Sequence, residues 1–306
     1  MNRSTFNKSV VPGLFAIAVS AYRPKNSEQI WRKLVTVLPS KNAYEEAAYF
    51  AGFGKVPKKP ESQGISYDDM VMGPTKRWNH VTYGLGAKIS EELIDDARYP
   101  DIPTTMGDIT AELGSSARET IETLVHDMIN NGTATTNHTA GDALAIFSNS
   151  HVALRGGTWS NLLTPGADLG VTSFQTAYDN FTTTKDDTGK VQIIKVNGIW
   201  VHPNNLWKAK ELLNSGYDPE SNNNAINTIK GLGISPMASP YLTDADAFTL
   251  VAEPPNRKSG AIAFLRRKVT FAKDGDFETG DSKFKVTFRL SVESNKPSSW
   301  YHSAGN

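Results

Sequence analysis

The sequence contains no cysteine, which excludes disulfides, thiolate nucleophiles and cysteine-ligated zinc together. Any covalent reinforcement needs other chemistry. A surplus of charge is also missing. Lysine plus arginine number 32 and aspartate plus glutamate number 32, so no net field singles out nucleic acid or a membrane surface as the main partner. The sequence has no Gly-x-Ser-x-Gly elbow, no P-loop and no His-Glu-x-x-His spacing. No internal repeat or low-complexity tract stands out.

An apolar run from Val10 to Ala21 follows Arg3 and Lys8 and mimics a short secretory signal. Pro12-Gly13 interrupts it, and it is too short to span a bilayer. It reads instead as an amphipathic arm. What remains is an ordinary folded composition, 21% charged and 39% hydrophobic over 306 residues, enough for one large domain or two lobes.

The candidate chemistry is thin. His80, His126, His138, His151, His202 and His302 are scattered without ligand spacing. Asp274, Asp276, Glu278 and Asp281 do not follow the calcium-loop spacing and suit an acidic turn between strands. Gly52-x-Gly54, Gly84-x-Gly86 and Gly231-x-Gly233 lack the strand–turn–helix setting of a nucleotide fingerprint. No catalytic residue, metal or cofactor is expected.

Physical patterning along the chain is more informative. Residues 1–46 form an arm and linker, in which Leu14, Phe15 and Ile17 need a neighbouring surface. Residues 47–90 form an extended hairpin loop, with Ala48–Phe50 expected to pair with Val81–Leu85. The stretch between is rich in glycine, proline and lysine and cannot fill a core. Residues 91–189 contain a long helix at about 105–130, marked by Ile109, Leu113, Ala117, Ile121, Leu124 and Met128 every three or four positions. Thr105 with Asp108 resembles a capping box for it.

A second such box, Thr172 with Gln175, precedes an amphipathic helix. Residues 190–255 form an α+β lobe: Val191–Ile194 and Gly198–Val201 as buried strand, then a helix capped by Asn204 and closed by Gly216. Residues 256–306 are strands returning to the lobe of the long helix. Phe284, Val286, Phe288, Leu290 and Val292 alternate, and Leu265, Val269 and Phe271 offer the partner. The fold class is α+β.

Several strings carry a resemblance. Trp31-Arg32-Lys33-Leu34-Val35-Thr36-Val37-Leu38-Pro39-Ser40 leads into the extended loop, and Tyr83-Gly84-Leu85-Gly86-Ala87-Lys88-Ile89-Ser90-Glu91-Glu92-Leu93-Ile94-Asp95-Asp96 leaves it. Leu144-Ala145-Ile146-Phe147-Ser148-Asn149-Ser150-His151 follows the long helix, Asn161-Leu162-Leu163 comes next, and Pro240-Tyr241-Leu242-Thr243-Asp244 precedes a strand. In order and spacing, over roughly residues 10–295, these resemble the Hong-Kong-97-type capsid fold, within it the major head subunit of Mu-like phages. Val152 departs from that family's frequent proline after the histidine, and the resemblance does not extend to the large N-terminal assembly domain of the type protein.

The resemblance implies a major capsid protein of a tailed bacteriophage, not an enzyme, forming hexamers and pentamers of an icosahedral shell around double-stranded DNA. The 105–130 helix becomes a spine, residues 190–255 an axial lobe, and the arm and loop lie across adjacent subunits. Its partners are other copies of itself, with portal, scaffolding and decoration proteins and DNA bound without sequence specificity; no membrane is involved. Assembly in the host cytoplasm and residence in the virion follow. The inter-subunit contact candidates are Leu14, Phe15, Arg23, Lys55, Lys58, Lys59, Arg77, Trp78, Asn222, Asn223 and Asn224. In the type protein a loop lysine bonds covalently to a neighbour's asparagine; no motif ties Lys58 or Lys59 to that role. The alternatives are another virion structural protein, disfavoured by the long helix, or a hydrolase, which needs His151 and His202 in one pocket.

Overall fold

The structure, a computed structural model, describes residues 17–22, 29–92, 101–217, 226–253 and 260–306, with only the backbone at 101–106. Two four-stranded sheets share the chain, a single helical turn α2 (Trp31–Leu34) leads into the first, and a short pair, β5 (His151–Val152) with β6 (Thr158–Trp159), stands apart. The first, in order β1-β10-β11-β4, is built on a long antiparallel pair: β10 (Ala261–Gly275) against β11 (Ser282–Ser294). Strand β1 (Thr36–Pro39) joins β10 in parallel, and β4 (Val81–Ile89) pairs antiparallel with β11. Across this sheet packs α3 (Asp101–Asn130), about 45 Å long at 1.5 Å per residue.

Here two periodicities meet. Leu113, Ala117, Ile121, Val125 and Met128 recur at helical spacing, and Phe284, Val286, Phe288, Leu290 and Val292 at strand spacing; together they form one buried cluster. Each of these side chains other than Ala117 contributes roughly 1.5–3 kcal/mol when fully buried. Sequence reading found this core correctly. It placed the helix start four residues late, so Thr105 and Asp108 lie inside the helix and not at its start.

The second sheet runs β12-β9-β7-β8: β12 (Trp300–Ser303), β9 (Phe248–Ala252), β7 (Val196–Val201) and β8 (Ser235–Ala238). Alternation divides its residues between two cores. Ile199, Val201, Phe248, Leu250 and Tyr301 pack on α4 (Val171–Thr182) and α5 (Leu206–Asn214), while Trp200 and Trp300 face the α3 cluster. Adjacent residues of one strand thus tie the lobes together. Strand β12 therefore departs from the expected C-terminal return: β10 and β11 rejoin the α3 lobe, and the last strand does not.

Other expectations need correction. At α4 the Ser173 hydroxyl accepts from the Gly170 N–H at 2.9 Å, so Thr172 is not the cap. Asn204 sits within a 3₁₀ turn (Pro203–Asn205) and donates its N–H to His202 Nδ1 at 3.2 Å. Its helix ends at Ser215, before Gly216. Val191–Ile194 is not a buried strand: Val191 and Ile193 are 67% and 101% exposed. The preceding turn is closed by Asp186, which accepts the Thr188 and Lys190 N–H groups, leaving the segment only one bridge, Lys185 with Val191.

The short helix α1 (residues 17–22) lies against α3, burying Ala18 and Tyr22. Gly114 makes this possible, because a Cβ there would stand 2.3 Å from the Ala18 carbonyl oxygen. Gly114→Ala is expected to displace α1 and cost about 1–3 kcal/mol from overpacking, against a helix-propensity gain of about 1 kcal/mol. A lower melting temperature with faster proteolysis at residues 17–22 is the readout; unchanged protection contradicts it.

Candidate functional site: inter-subunit surfaces

Strands β2 (Tyr44–Ala51) and β3 (Val71–Asn79) form a separate two-stranded ribbon. Val81–Leu85, expected to pair with Ala48–Phe50, lies instead in β4 on β11. The ribbon is thus shorter, residues 44–79, with its tip at 52–70. Lys55, Lys58 and Lys59 are all exposed there. Eight large apolar side chains between Phe50 and Met72 are exposed as well, among them Val56 at 95%, Tyr67 at 94% and Ile65 at 71%. Their own chain leaves these apolar groups uncovered, the mark of an interaction surface.

The base of the ribbon, by contrast, is fastened. Trp78 is 0% exposed, edge-on to Phe264 with ring centroids 5.3 Å apart, and its indole N–H donates to the Glu293 carbonyl at 3.3 Å. Trp78 is therefore a buried anchor of its own subunit, which corrects its place among the contact candidates. Asn295 Nδ2 donates to the Ala47 and Pro74 carbonyls at 2.8 and 3.3 Å, one on each strand. Lys76 Nζ pairs with Glu293 at 3.3 Å and donates to the Thr139 carbonyl at 2.8 Å. Lys296, 8% exposed, pairs with buried Asp187 at 2.5 Å, below the ring of Tyr49. Burial, with Asp187 and Asp142 nearby, pushes the Tyr49 phenol well above its usual range.

Farther out, Asp68 accepts the Gly54 N–H at 2.7 Å and pairs with Arg155 at 2.8 Å. Arg155 holds that carboxyl below the usual carboxylate range. Residues 55–67 extend past this clamp. Arg77 stacks on Tyr44 at 4.3 Å and pairs with Glu46 at 2.6 Å, so its charge is already answered across the ribbon. Leu14, Phe15, Arg23, Asn222, Asn223 and Asn224 lie outside the described residues.

The spine carries one buried acid that sequence reading passed over. Glu122, 2% exposed, accepts the N–H groups of Ile30 and Trp31, both at 2.9 Å, and so fixes where the N-terminal segment joins α3. Burial outweighs those bonds and pushes its carboxyl from 4.5 up to about 7. His126 lies 3.8 Å away and shares a hydrogen bond with Ser239; burial lowers its imidazole. The folded form holds the Glu122 proton in a pH range where the unfolded chain has lost it. Stability from this group is therefore fully present below about pH 4.5 and lost as pH rises to about 7. Relative to Glu122→Gln, wild type is expected to lose about 3 kcal/mol over that window; parallel stability–pH curves contradict it. His302, pulled down to about 4 by burial, acts oppositely, its contribution being lost as pH falls from 6.5.

The histidines share no cleft. His151 bonds Asp142 at 2.8 Å and stacks on Trp159, His202 caps a turn, His138 bonds Asp127, and His80 lies between Ser40 and Ser291. Among the described residues no group of three or more His, Asp or Glu side chains has the arrangement to hold a metal ion, and no helix is long and apolar enough to cross a membrane.

The fold is similar to known shells. The capsid of the cyanophage P-SCSP1u aligns with a TM-score of 0.59 at 9% identity, over 89% of this chain and 86% of that chain. The capsid of bacteriophage JBD30 decorated with minor capsid protein trimers gives 0.56 at 15%, over 73% and 95%. The SrpI encapsulin of Synechococcus elongatus gives 0.54 at 9%, over 92% and 89%. The architecture is the α+β Hong-Kong-97-type capsid fold. No curated protein matches the sequence. The family model described as phage capsid protein matches residues 74–301, most of the chain, and the protein belongs to that family of virion shell proteins, which are structural rather than enzymatic.

Proposed function

We propose that this major capsid protein assembles into hexamers and pentamers of an icosahedral shell that encloses double-stranded DNA in a tailed phage. Residues 190–255 form the axial lobe at each capsomer centre. The spine helix with β10 and β11 forms the periphery. The ribbon lies across neighbouring copies, whereas residues 17–22 of the expected arm pack on α3 of their own chain. Portal, scaffolding and decoration proteins complete the particle, which assembles in the host cytoplasm, and the order of sequence strings favours kinship with Mu-like head subunits.

The observation that carries this reading is the ribbon: fastened at its base by buried residues and apolar along a tip that its own chain does not cover. Obligate interfaces bury roughly 2,000–5,000 Å², and interlocked projections require several contacts to break together before a subunit is lost. Zero net charge suits a wall that surrounds DNA without gripping it. Electron microscopy of the protein expressed with its own scaffold and head proteins tests the proposal. Rings or closed shells are expected; a strictly monomeric product sinks it.

A further inference from the structure

The two ends of the β3–β4 segment carry opposite chemistry. Strand β11 pairs with β4 from Ser282 opposite Ile89 to Leu290 opposite Val81. It then continues beside β3: Ser291 meets His80, the Glu293 carbonyl meets Trp78, and Asn295 meets the Pro74 carbonyl. The chain from Pro74 to Ile89 therefore follows β11 without reversing. At about 3.3 Å per residue that path is on the order of 50 Å. The ribbon tip lies beyond one end and the β10–β11 turn, residues 276–281, beyond the other. Within one copy the two are far apart.

The turn is acidic with an aromatic crest. Asp274, Asp276 and Glu278 flank Phe277 in sequence, with Asp281 buried at the foot of the turn, and the Phe277 side chain is fully exposed at 102%. Lys283 pairs with Asp276 and Lys88 with Asp281, so the acid surplus of the turn, residues 274–281, rests on Asp274 and Glu278. Residues 55–67, the part of the tip beyond the Asp68–Arg155 clamp, are the complement: Lys55, Lys58 and Lys59 stand against Glu61, around exposed Val56 and Tyr67, with Asp69 the one further acid at the clamp.

We infer that the acidic Phe277 turn of one copy docks on the lysine-rich ribbon tip of another. The two surfaces differ, so the contact is heterologous; repeated, it closes rings or extends a lattice instead of ending at a two-fold pair. Opposite charge steers the encounter and sets the register, while Phe277, Val56 and Tyr67 exclude water between them. The inference rests on the shell-subunit reading and gives the ribbon its partner.

Charge reversal tests it. One chain carries Lys55→Glu, Lys58→Glu and Lys59→Glu; a second carries Asp274→Lys and Glu278→Lys, leaving the Asp276–Lys283 and Asp281–Lys88 pairs intact. Each is expected to give at least about ten-fold fewer shells than wild type, and the chain with all five substitutions to recover to within about two-fold. Phe277→Ser, at a fully exposed turn position, keeps every charge and is expected to reduce assembly as well. Reversed chains that assemble like wild type, or a five-substitution chain no better than its parents, overturn the docking while wild-type shells leave the capsid reading standing. A wild type that forms no shell beside its own head proteins overturns both.

Discussion

Replacing residues 52–70 by an Asn-Gly turn is expected to leave a folded subunit that no longer forms shells. Every residue from 55 to 70 is exposed, so the excision removes no core. The ribbon's anchors, Trp78, Asn295 and Lys296, all remain. Shortening the connection also lowers its closure entropy, and Asn-Gly matches the twist that two antiparallel strands need. The change in subunit stability is therefore expected to stay within about 1 kcal/mol. The change in assembly is expected to be complete, because the exposed apolar groups between Phe53 and Met70 are removed. Denaturant melts and sedimentation read the two quantities separately. A subunit that unfolds, or one that still builds shells, contradicts the division between anchored base and shared tip.

The second large effect lies at the base. Lys296 and Asp187 are both buried and pair at 2.5 Å. Lys296→Ala leaves the carboxylate in a desolvated site without its cation, which costs about 3–5 kcal/mol. The charge-free pair Lys296→Met with Asp187→Leu is expected to recover most of that loss, since a buried ion pair is commonly replaceable by apolar groups of similar volume. Lys296 also covers Tyr49 and follows Asn295, which holds both ribbon strands. The single variant is therefore expected to loosen the ribbon and lower assembly even where the subunit stays folded. Chemical denaturation of the two variants provides the check: equal losses in single and double contradict the ion-pair account.

Much of this architecture was legible from periodicity. The α3 stripe and the alternation in β11 each repeat their own period over many residues, so type and buried face followed directly. The ribbon tip was legible from composition, because glycine, proline and lysine cannot fill a core. Strand partnership was not. Val81–Leu85 pairs with residues about two hundred positions later, and nothing local distinguishes that from pairing with Ala48–Phe50.

Trp78 shows the same limit: an aromatic in a projecting strand looks like a contact until its neighbours from β10 and β11 are in place. Val191–Ile194 has strand composition, yet the Asp186 turn leaves it without a ladder to join. The anchors Asn295 and Lys296 carried no local signal, since their partners lie between 109 and 248 residues away. Glu122 was equally silent, an acid on a helix whose partners are backbone N–H groups 92 and 91 residues earlier.

The central claim is that the ribbon of each subunit is finished by another copy. Oxidative footprinting of free subunits against purified shells measures this most directly, through Phe53, Tyr67, Met70 and Met72, all exposed in the single chain. Strong protection of these four side chains in the shell, with Trp78 silent in both states, is the expected result. Equal labelling of the four in subunit and shell contradicts the account.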